Sequence, residues 1–147
     1  MNVMIRRLTL QDVCAIHQIN MESLGYDFSL AETTNKLKKL LVDTTHHILL
    51  GYEDEKTIIG YVHAEIYDTL YFPTLLNVLA LAVDANRKRQ GVGRKLMLDL
   101  ETEAKNRGIQ TIRLNSGSTR SEAHTFYASL GYGDEKLQKR LVKKLSE

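Results

Sequence analysis

The sequence has 147 residues, of which 43% are hydrophobic and 26% charged, with a formal net charge of +2 at pH 7. This size predicts one domain over residues 1–147, and the balanced charge argues against nucleic acid as the main partner. The single cysteine, Cys14, excludes an intrachain disulfide and a cysteine-based metal site. The N-terminus lacks an apolar signal region, and no apolar run approaches the roughly 18 residues of a membrane span. We therefore expect a cytoplasmic protein that does not enter a membrane.

The first part of the chain combines strand and helix patterns. Residues 3–8 predict a strand, and Thr9 is placed to cap the helix that follows. A second helix is predicted over residues 29–42, which open with a capping-box pattern. Between the two helices, residues 21–28 mix aromatic and acidic side chains. This composition suits either a surface that receives a substrate or a plain linker.

A hairpin is predicted next. Residues 46–52 and 57–67 have strand composition and are separated by a short run of charged residues. Gly60, inside the second strand, predicts a bulge or a close contact with another element. An irregular loop over residues 68–74 contains the only proline.

The most informative stretch is a strand, a glycine-containing turn and a helix. Residues 78–83 predict a buried strand. Val92, Leu96, Leu100 and Ala104 repeat at helical spacing, and Gly108 is placed to end that helix. The turn and first helical positions contain five cations, namely Arg87, Lys88, Arg89, Arg94 and Lys95.

Cations at a helix N-terminus oppose the helix dipole, which favours acidic side chains there by roughly 0.3–1 kcal/mol each. Their presence indicates that a polyanion binds at this position. Gly91 and Gly93 would allow a phosphate to approach the backbone N–H groups. The alternative is a solvated charge run in which the glycines only turn the chain.

The remaining elements follow in order. Residues 110–115 predict a strand, and Ser118 or Thr119 can cap a helix that continues through Leu130 and stops at Gly131. In the C-terminal tail, leucines at positions 137, 141 and 145 fit both helix spacing and strand alternation. The element order predicts a mixed sheet with helices on both faces, and a ligand site at the carboxyl end of a strand beside a helix N-terminus.

Two motifs resemble a known family. The run Lys88-Arg89-Gln90-Gly91-Val92-Gly93 resembles the phosphate-binding signature of the GNAT superfamily of N-acetyltransferases, in which Arg or Gln, two variable residues, Gly, one variable residue and Gly or Ala cradle the coenzyme A pyrophosphate. Lys88 departs from the Arg or Gln of that signature. Residues 123–132 resemble the second signature of the family. The resemblance implies an α/β (α+β) fold with a mixed, mostly antiparallel central sheet, and makes the C-terminal tail a strand.

The resemblance also implies an activity and a site. We expect an acyltransferase that moves an acetyl group from acetyl-CoA to a primary amine of a small molecule or polypeptide. Tyr127 matches the general-acid tyrosine of the family, although an isolated helix tyrosine more often packs in a core. The expected coenzyme contacts come from Leu81, Ala82, Val83, Lys88, Arg89, Gln90, Gly91, Val92, Gly93, Arg94, Asn115 and Tyr127.

No general base is implied by the resemblance, because the position of the family's strand glutamate is occupied by Leu79. Glu65 is the predicted base, with His63, Asp84 and a chain of water molecules as alternatives. Glu65 and His63 alternate on what could be a solvent face, and Asp84 could simply turn the chain. His124 is expected on the surface of its helix.

Two further expectations concern function and partners. A non-catalytic acyl-CoA or nucleotide sensor of the same fold stays open as the alternative to an enzyme. No metal-ligand spacing is present, so no metal is expected, and a homodimer is one option for assembly. An acidic and aromatic pocket for the amine is suggested by Glu22, Tyr26, Asp27, Tyr71 and Phe72.

Overall fold

Five strands form one sheet in the computed structural model, which describes residues 2–133 and 135–146. The chain separates into two units, one up to Asn115 and one from Ser116 onward, and each is described by itself. The expectation of one domain over residues 1–147 stays a prediction. The first unit contains β1 Val3–Arg7, α1 Val13–Ile19, α2 Leu30–Leu41, β2 His47–Asp54, β3 Thr57–Tyr67, β4 Leu75–Val83, α3 Val92–Asn106 and β5 Ile112–Leu114, and the second contains α4 Ser121–Ser129.

The strands lie in the order β1-β2-β3-β4-β5. The pairs β1–β2, β2–β3 and β3–β4 are antiparallel. The pair β4–β5 is parallel, and its two strands are connected through α3. A parallel pair needs such a crossover, because a tight turn can only reverse the chain. This confirms the predicted mixed, mostly antiparallel sheet.

Two consecutive residues of β3 show that helices cover both faces of the sheet. A Cβ added to Gly60 would lie 2.9 Å from Val92 Cγ1 of α3, which confirms the predicted close contact at this glycine. Tyr61 belongs instead to a core cluster with Ile16 and Ile19 of the first helical segment. Successive strand residues point to opposite faces. Helix α1 and helix α3 therefore pack on opposite sides, as expected.

Helix α3 has the predicted amphipathic pattern. Val92, Leu96, Met97, Leu100 and Ala104 are all 3% exposed or less. The helix ends as predicted, since Gly108 has a left-handed φ of 75° directly after the last turn. Burial of this apolar face holds the N-terminus of α3 in a fixed place beside β4.

Local sequence signals explain the starts of the first helices and the hairpin turn. The Ser29 hydroxyl accepts a hydrogen bond from the Glu32 N–H at 3.1 Å, and Asp12 Oδ2 accepts one from the Thr9 N–H at 2.7 Å. Both capping predictions are confirmed. The hairpin turns at Glu55 and Lys56, whose positive φ values of 50° and 67° match the twist of the flanking strands.

Several predicted boundaries were wrong. Strand β4 begins at Leu75 and not at residue 78, while β5 is confined to three residues. Helix α4 begins at Ser121 after Arg120, without the predicted side-chain cap from Ser118 or Thr119.

The predicted C-terminal strand was also wrong: residues 135–146 form neither helix nor strand. The leucines at positions 137, 141 and 145 are 88–90% exposed. In a strand, Lys139 and Lys143 would share the face of these leucines. A face that alternates leucine with lysine gives little apolar surface to bury, so the pattern does not favour a buried strand.

Candidate active site

The glycine turn between β4 and α3 presents backbone N–H groups to an open space. Gly91 has a left-handed φ of 81°, and a Cβ added there would meet no atom within 4 Å. The first hydrogen bond of α3 runs from the Lys95 N–H to the Gly91 carbonyl at 3.1 Å. The helix itself therefore gives no acceptor to the N–H groups of residues 92–94. Donors at the positive end of a helix dipole, with room in front of them, fit an anionic group.

The five cations around this turn have different roles. Arg87 forms an ion pair with Asp54 at the end of β2 and donates a hydrogen bond to Gln90 Oε1 at 3.0 Å. The Lys95 ammonium lies 5.8 Å from the centre of the Tyr52 ring. These contacts tie the turn to the hairpin β2–β3, so the expectation that all five cations serve an anion was too broad.

Three cations of the turn remain at the surface. The side chains of Lys88, Arg89 and Arg94 are exposed, and Arg89 has a left-handed φ of 65°. Val92, also expected at the coenzyme, points its side chain into the core at 3% exposure. Only its backbone N–H could serve a ligand.

Strand β4 contains a bulge beside the turn. His63 lies opposite Ala80 and Ala64 opposite Val78, which leaves Leu79 as the extra residue. Parallel pairing with β5 covers residues 76–78, so in the described part of the chain residues 80–83 pair only with β3. This edge contains the backbone groups of Leu81, Ala82 and Val83.

One of those backbone groups already has a partner. The Val83 carbonyl accepts a hydrogen bond from the Ser23 hydroxyl at 2.6 Å. A carbonyl has two lone pairs, so it can accept a second donor. The bond fastens the segment after α1 to the end of β4, beside the glycine turn.

Glu65 lies within a polar row of the sheet. Its Oε2 accepts a hydrogen bond from Asn77 Nδ2 at 2.8 Å, and Asn77 Oδ1 accepts one from Arg113 Nε at 3.1 Å. The Arg113 guanidinium lies 4.3 Å from the centre of the Tyr67 ring. Glu65 is thus held by side chains from the two neighbouring strands and is not a loosely solvated residue.

The other two candidates for the base have structural partners. His63 Nε2 lies 3.0 Å from His47 Nδ1. Burial lowers the pKa of His63 from 6.5 to about 4, with a further decrease from His47 and an opposing effect of Glu65. Asp84 Oδ1 accepts a hydrogen bond from the Asn86 N–H at 2.9 Å, which supports its interpretation as a turn residue.

Tyr127 lies in α4 of the second unit. Its ring contacts those of Phe126 and Tyr132, with centroid distances of 5.0 and 5.9 Å. Burial raises the pKa of the Tyr127 hydroxyl, an effect that Arg120 opposes. Both the packing role and the acid role of this tyrosine fit these facts. Asn115 is exposed and directly follows β5 in the first unit.

A cavity of about 290 Å³ lies at the end of the segment that follows α1. It is lined by Asn20, Tyr26, Asp27 and Phe28. Asn20 Oδ1 accepts a hydrogen bond from the Tyr61 hydroxyl at 2.5 Å, and burial raises the pKa of Tyr61 to about 12.

The structure gathers only part of the predicted amine pocket in that cavity. Tyr26 and Asp27 line it, whereas Glu22, Tyr71 and Phe72 do not. Glu22 accepts a hydrogen bond from Gln18 at 3.1 Å, and Phe72 packs against Tyr67 and Tyr71 in the β3–β4 loop.

Comparison with known proteins agrees with this arrangement of turn, strand edge and helix. Residues 13–132 match the sequence pattern described as the acetyltransferase (GNAT) family. The chain belongs to this family. A curated relative, the ribosomal protein bS18-alanine N-acetyltransferase of Escherichia coli (strain K12), is 35% identical over 66 residues, or 45% of this chain and 43% of that enzyme. The GNAT chain thus matches less than half the length of this relative.

Solved structures share the GNAT fold of this chain. A transcriptional regulator from Bacillus halodurans C-125 has a TM-score of 0.88 at 18% identity, covering 97% of this chain and 100% of its own. The PaiA N-acetyltransferase from Thermoplasma acidophilum, in complex with coenzyme A, has a TM-score of 0.81 at 21% identity, covering 94% of each chain. At such identities the similarity establishes the fold alone.

Two kinds of feature are absent from the described residues of this GNAT protein. Among residues 2–133 and 135–146, no group of three or more His, Cys, Asp or Glu side chains could hold a metal ion. No helix within those same ranges is both long enough and apolar enough to cross a membrane.

Sequence reasoning missed four residues that shape the GNAT site: Ser23, Asp54, Asn77 and Arg113. Three of them gave no local signal, since their partners lie far away along the chain. Asn77 did give one, because it is the single polar residue in the apolar run 75–83. A buried amide in such a run needs hydrogen-bond partners, and these are Glu65 and Arg113.

Proposed function

We propose that this GNAT protein is an acetyl-CoA-dependent N-acetyltransferase that acts on a primary amine. The observation that supports it best is the glycine turn, where the donors at the start of α3 lie next to open space at Gly91 and to the part of β4 that does not pair with β5. A pyrophosphate fits the donors of the turn, and an amide-containing arm fits a strand edge. Membership of the family supports the same donor.

The proposed coenzyme contacts fall into three groups. The N–H groups of residues 89–93 and the side chains of Lys88, Arg89 and Arg94 would hold the pyrophosphate. The backbone of Leu81, Ala82 and Val83 would pair with the arm that follows. Asn115 and Tyr127 complete the set by resemblance to the family. Acetyl-CoA, when bound, supplies a thioester whose carbonyl carbon accepts the amine.

The protein's own residues would manage the protons of the transfer. The amine must lose a proton as the new C–N bond forms, and we assign that proton to the Glu65 carboxylate, directly or through water. The C–S bond breaks in the same reaction, and the departing sulfur takes a proton from the Tyr127 hydroxyl. The raised pKa of Tyr127 keeps this hydroxyl protonated at neutral pH, as an acid requires.

Turnover with a panel of amines, followed as release of free thiol from acetyl-CoA, tests this proposal. The panel should contain small primary amines, aminoglycosides and peptides with free N-termini. We expect thiol release that depends on at least one amine and a product heavier by one acetyl group. Binding of coenzyme A without turnover on any amine would instead favour the acyl-CoA sensor. The identity of the acceptor, a homodimer and a cytoplasmic location stay predictions.

A substitution at Gly91 tests the pyrophosphate site. Gly91→Val places a branched side chain in the space that a phosphate would occupy, and we expect coenzyme A affinity, measured by calorimetry, to fall at least about tenfold. This is the value of one charge-assisted hydrogen bond of roughly 1.5 kcal/mol. The left-handed backbone should also cost roughly 1–2 kcal/mol of stability.

Gly108→Val is the matched control for this strain. Gly108 has a φ of 75°, has no atom within 4 Å of an added Cβ and lies at the opposite end of α3. It should lose similar stability and keep its affinity for coenzyme A. Equal affinities of the two folded variants would exclude the pyrophosphate from the turn.

The exposed cation Arg94 is expected to serve binding at the expense of stability. Arg94→Glu places an acidic side chain in the first turn of α3, which should raise the free energy of unfolding by about 0.3–1 kcal/mol while coenzyme affinity falls. Lys105→Glu, in the last turn of the same helix, should lower stability and leave affinity unchanged. Urea denaturation and calorimetry measure both quantities. A folded Arg94→Glu variant with unchanged affinity would contradict the assignment.

A further inference from the structure

Three side chains form a straight row across the sheet beside the β4 bulge. Asn77 lies opposite Glu65 on β3 and opposite Arg113 on β5. Cross-strand neighbours on one face have Cβ atoms about 5 Å apart, which brings their side chains into direct contact. Sheet register therefore fixes the Glu65–Asn77–Arg113 row, independently of any loop.

The direction of the hydrogen bonds in this row is fixed by chemistry. Arg113 can only donate, so the Asn77 atom that it meets at 3.1 Å is the carbonyl oxygen Oδ1. The amide nitrogen of Asn77 must then point towards Glu65, to which it donates at 2.8 Å. The two hydrogen bonds thus run in one direction, from the Arg113 guanidinium through the Asn77 amide to the Glu65 carboxylate.

An asparagine at position 77 contributes less to stability than an apolar residue would. It is 8% exposed in the middle of an otherwise apolar strand, where a leucine would bury more apolar surface. Arg113 is itself held against the Tyr67 ring at 4.3 Å, so the far end of the row is anchored. Both polar atoms of the buried Asn77 amide have hydrogen-bond partners, so the amide is held in one orientation and can orient the neighbouring side chain.

We propose that Asn77, oriented by Arg113, is a positioning residue that aims the Glu65 carboxylate for the removal of the amine proton. The proposal rests on the proposed function, in which Glu65 is the general base. Asn77 occupies one carboxylate oxygen, Oε2, and the proton is accepted at the other, Oε1. Other titratable side chains on this face, next to Glu65, are His47, opposite it on β2, and His63 and Tyr67, two residues to either side of it on β3.

Asn77→Asp separates a positioning role from a structural one. Aspartate has the same shape and still accepts the hydrogen bond from Arg113, but it cannot donate to Glu65 and adds a second carboxylate. We expect kcat with the best amine of the panel to fall about tenfold or more, with the KM for acetyl-CoA unchanged. The acid limb of the pH–rate profile should move to higher pH, because neighbouring carboxylates hold a proton more tightly.

A second variant covers the case in which Asn77→Asp does not fold. Arg113→Met leaves Asn77 in place and removes the donor that orients its amide. Its kcat should fall severalfold, and its acid limb should move in the same direction. A parent-like kcat and pH profile in either folded variant would overturn the positioning role.

Glu65→Gln distinguishes this failure from failure of the proposed function. If Glu65→Gln loses turnover while the folded Asn77→Asp protein stays parent-like, only the positioning role is overturned. If Glu65→Gln keeps turnover within a few-fold of the parent, the base assignment and the positioning role both fall. Absence of thiol release by the parent with every amine overturns the enzyme proposal itself, and the positioning role with it.

Discussion

Tyr127→Phe is expected to lower the rate of acetyl transfer by roughly 10²-fold, the usual contribution of a positioned general acid. The substitution removes one hydroxyl and keeps the ring that packs against Phe126 and Tyr132. Coenzyme affinity and thermal stability should therefore barely change. Single-turnover kinetics at saturating substrates, with chemistry rate-limiting, measures the effect.

Tyr132→Phe is the control for this experiment. Tyr132 packs against the Tyr127 ring in the same unit, so this variant removes a neighbouring tyrosine hydroxyl to which no proton transfer is assigned. It should retain the parent rate. A Tyr127→Phe rate within a few-fold of the parent would show that the thiolate leaves without this acid, and Tyr127 would then be a packing residue.

The fold is expected to lose about 3 kcal/mol of stability between pH 6.5 and pH 4 because of one buried histidine. Burial lowers the pKa of His63 from 6.5 to about 4, so the folded protein keeps this imidazole neutral while the unfolded chain protonates it. Below pH 6.5 the unfolded state therefore binds more protons than the folded state, so the free energy of unfolding decreases as the pH decreases. Stability linked to His63 is fully present above pH 6.5 and is lost as the pH approaches 4.

Urea denaturation across this pH range measures the slope, and His63→Gln is the variant that should flatten it. Glutamine can still hydrogen bond with His47 but does not titrate. If the free energy of unfolding of the His63→Gln protein changed with pH as steeply as that of the parent, another group would be responsible for the acid sensitivity of the fold.

The turn and its helix could be predicted from sequence because several local signals coincide there. Glycines at positions 91 and 93, a cationic first turn and an apolar helical stripe all lie within 20 residues, and each acts through its immediate neighbours. The hairpin and both capping motifs are local for the same reason. These elements fix the place of the candidate coenzyme site.

Contacts between distant parts of the chain were not predictable in this way. Arg87 was assigned to anion binding because its neighbours are basic, yet its partner is Asp54, 33 positions earlier. The strand predicted over residues 78–83 leaves out Asn77, a polar residue whose partners on two other strands satisfy its amide. In both cases a contact with a residue far away along the chain, which a single sequence does not display, decided the role of the side chain.

The bulge at Leu79 shifts the alternation of side chains between the two faces of strand β4 by one residue. Before it, the odd-numbered Asn77 shares a face with Glu65; after it, the even-numbered Ala80 and Ala82 lie on that same face, opposite His63 and Tyr61. One extra residue thus separates two halves of the strand that obey opposite parity rules. A deletion of Leu79 would leave a regular ladder in which Asn77 still faces Glu65 and Ala82 stays on the face of Tyr61. What the deletion would remove is the bend and the added twist that a bulge gives a strand, here just before the glycine turn.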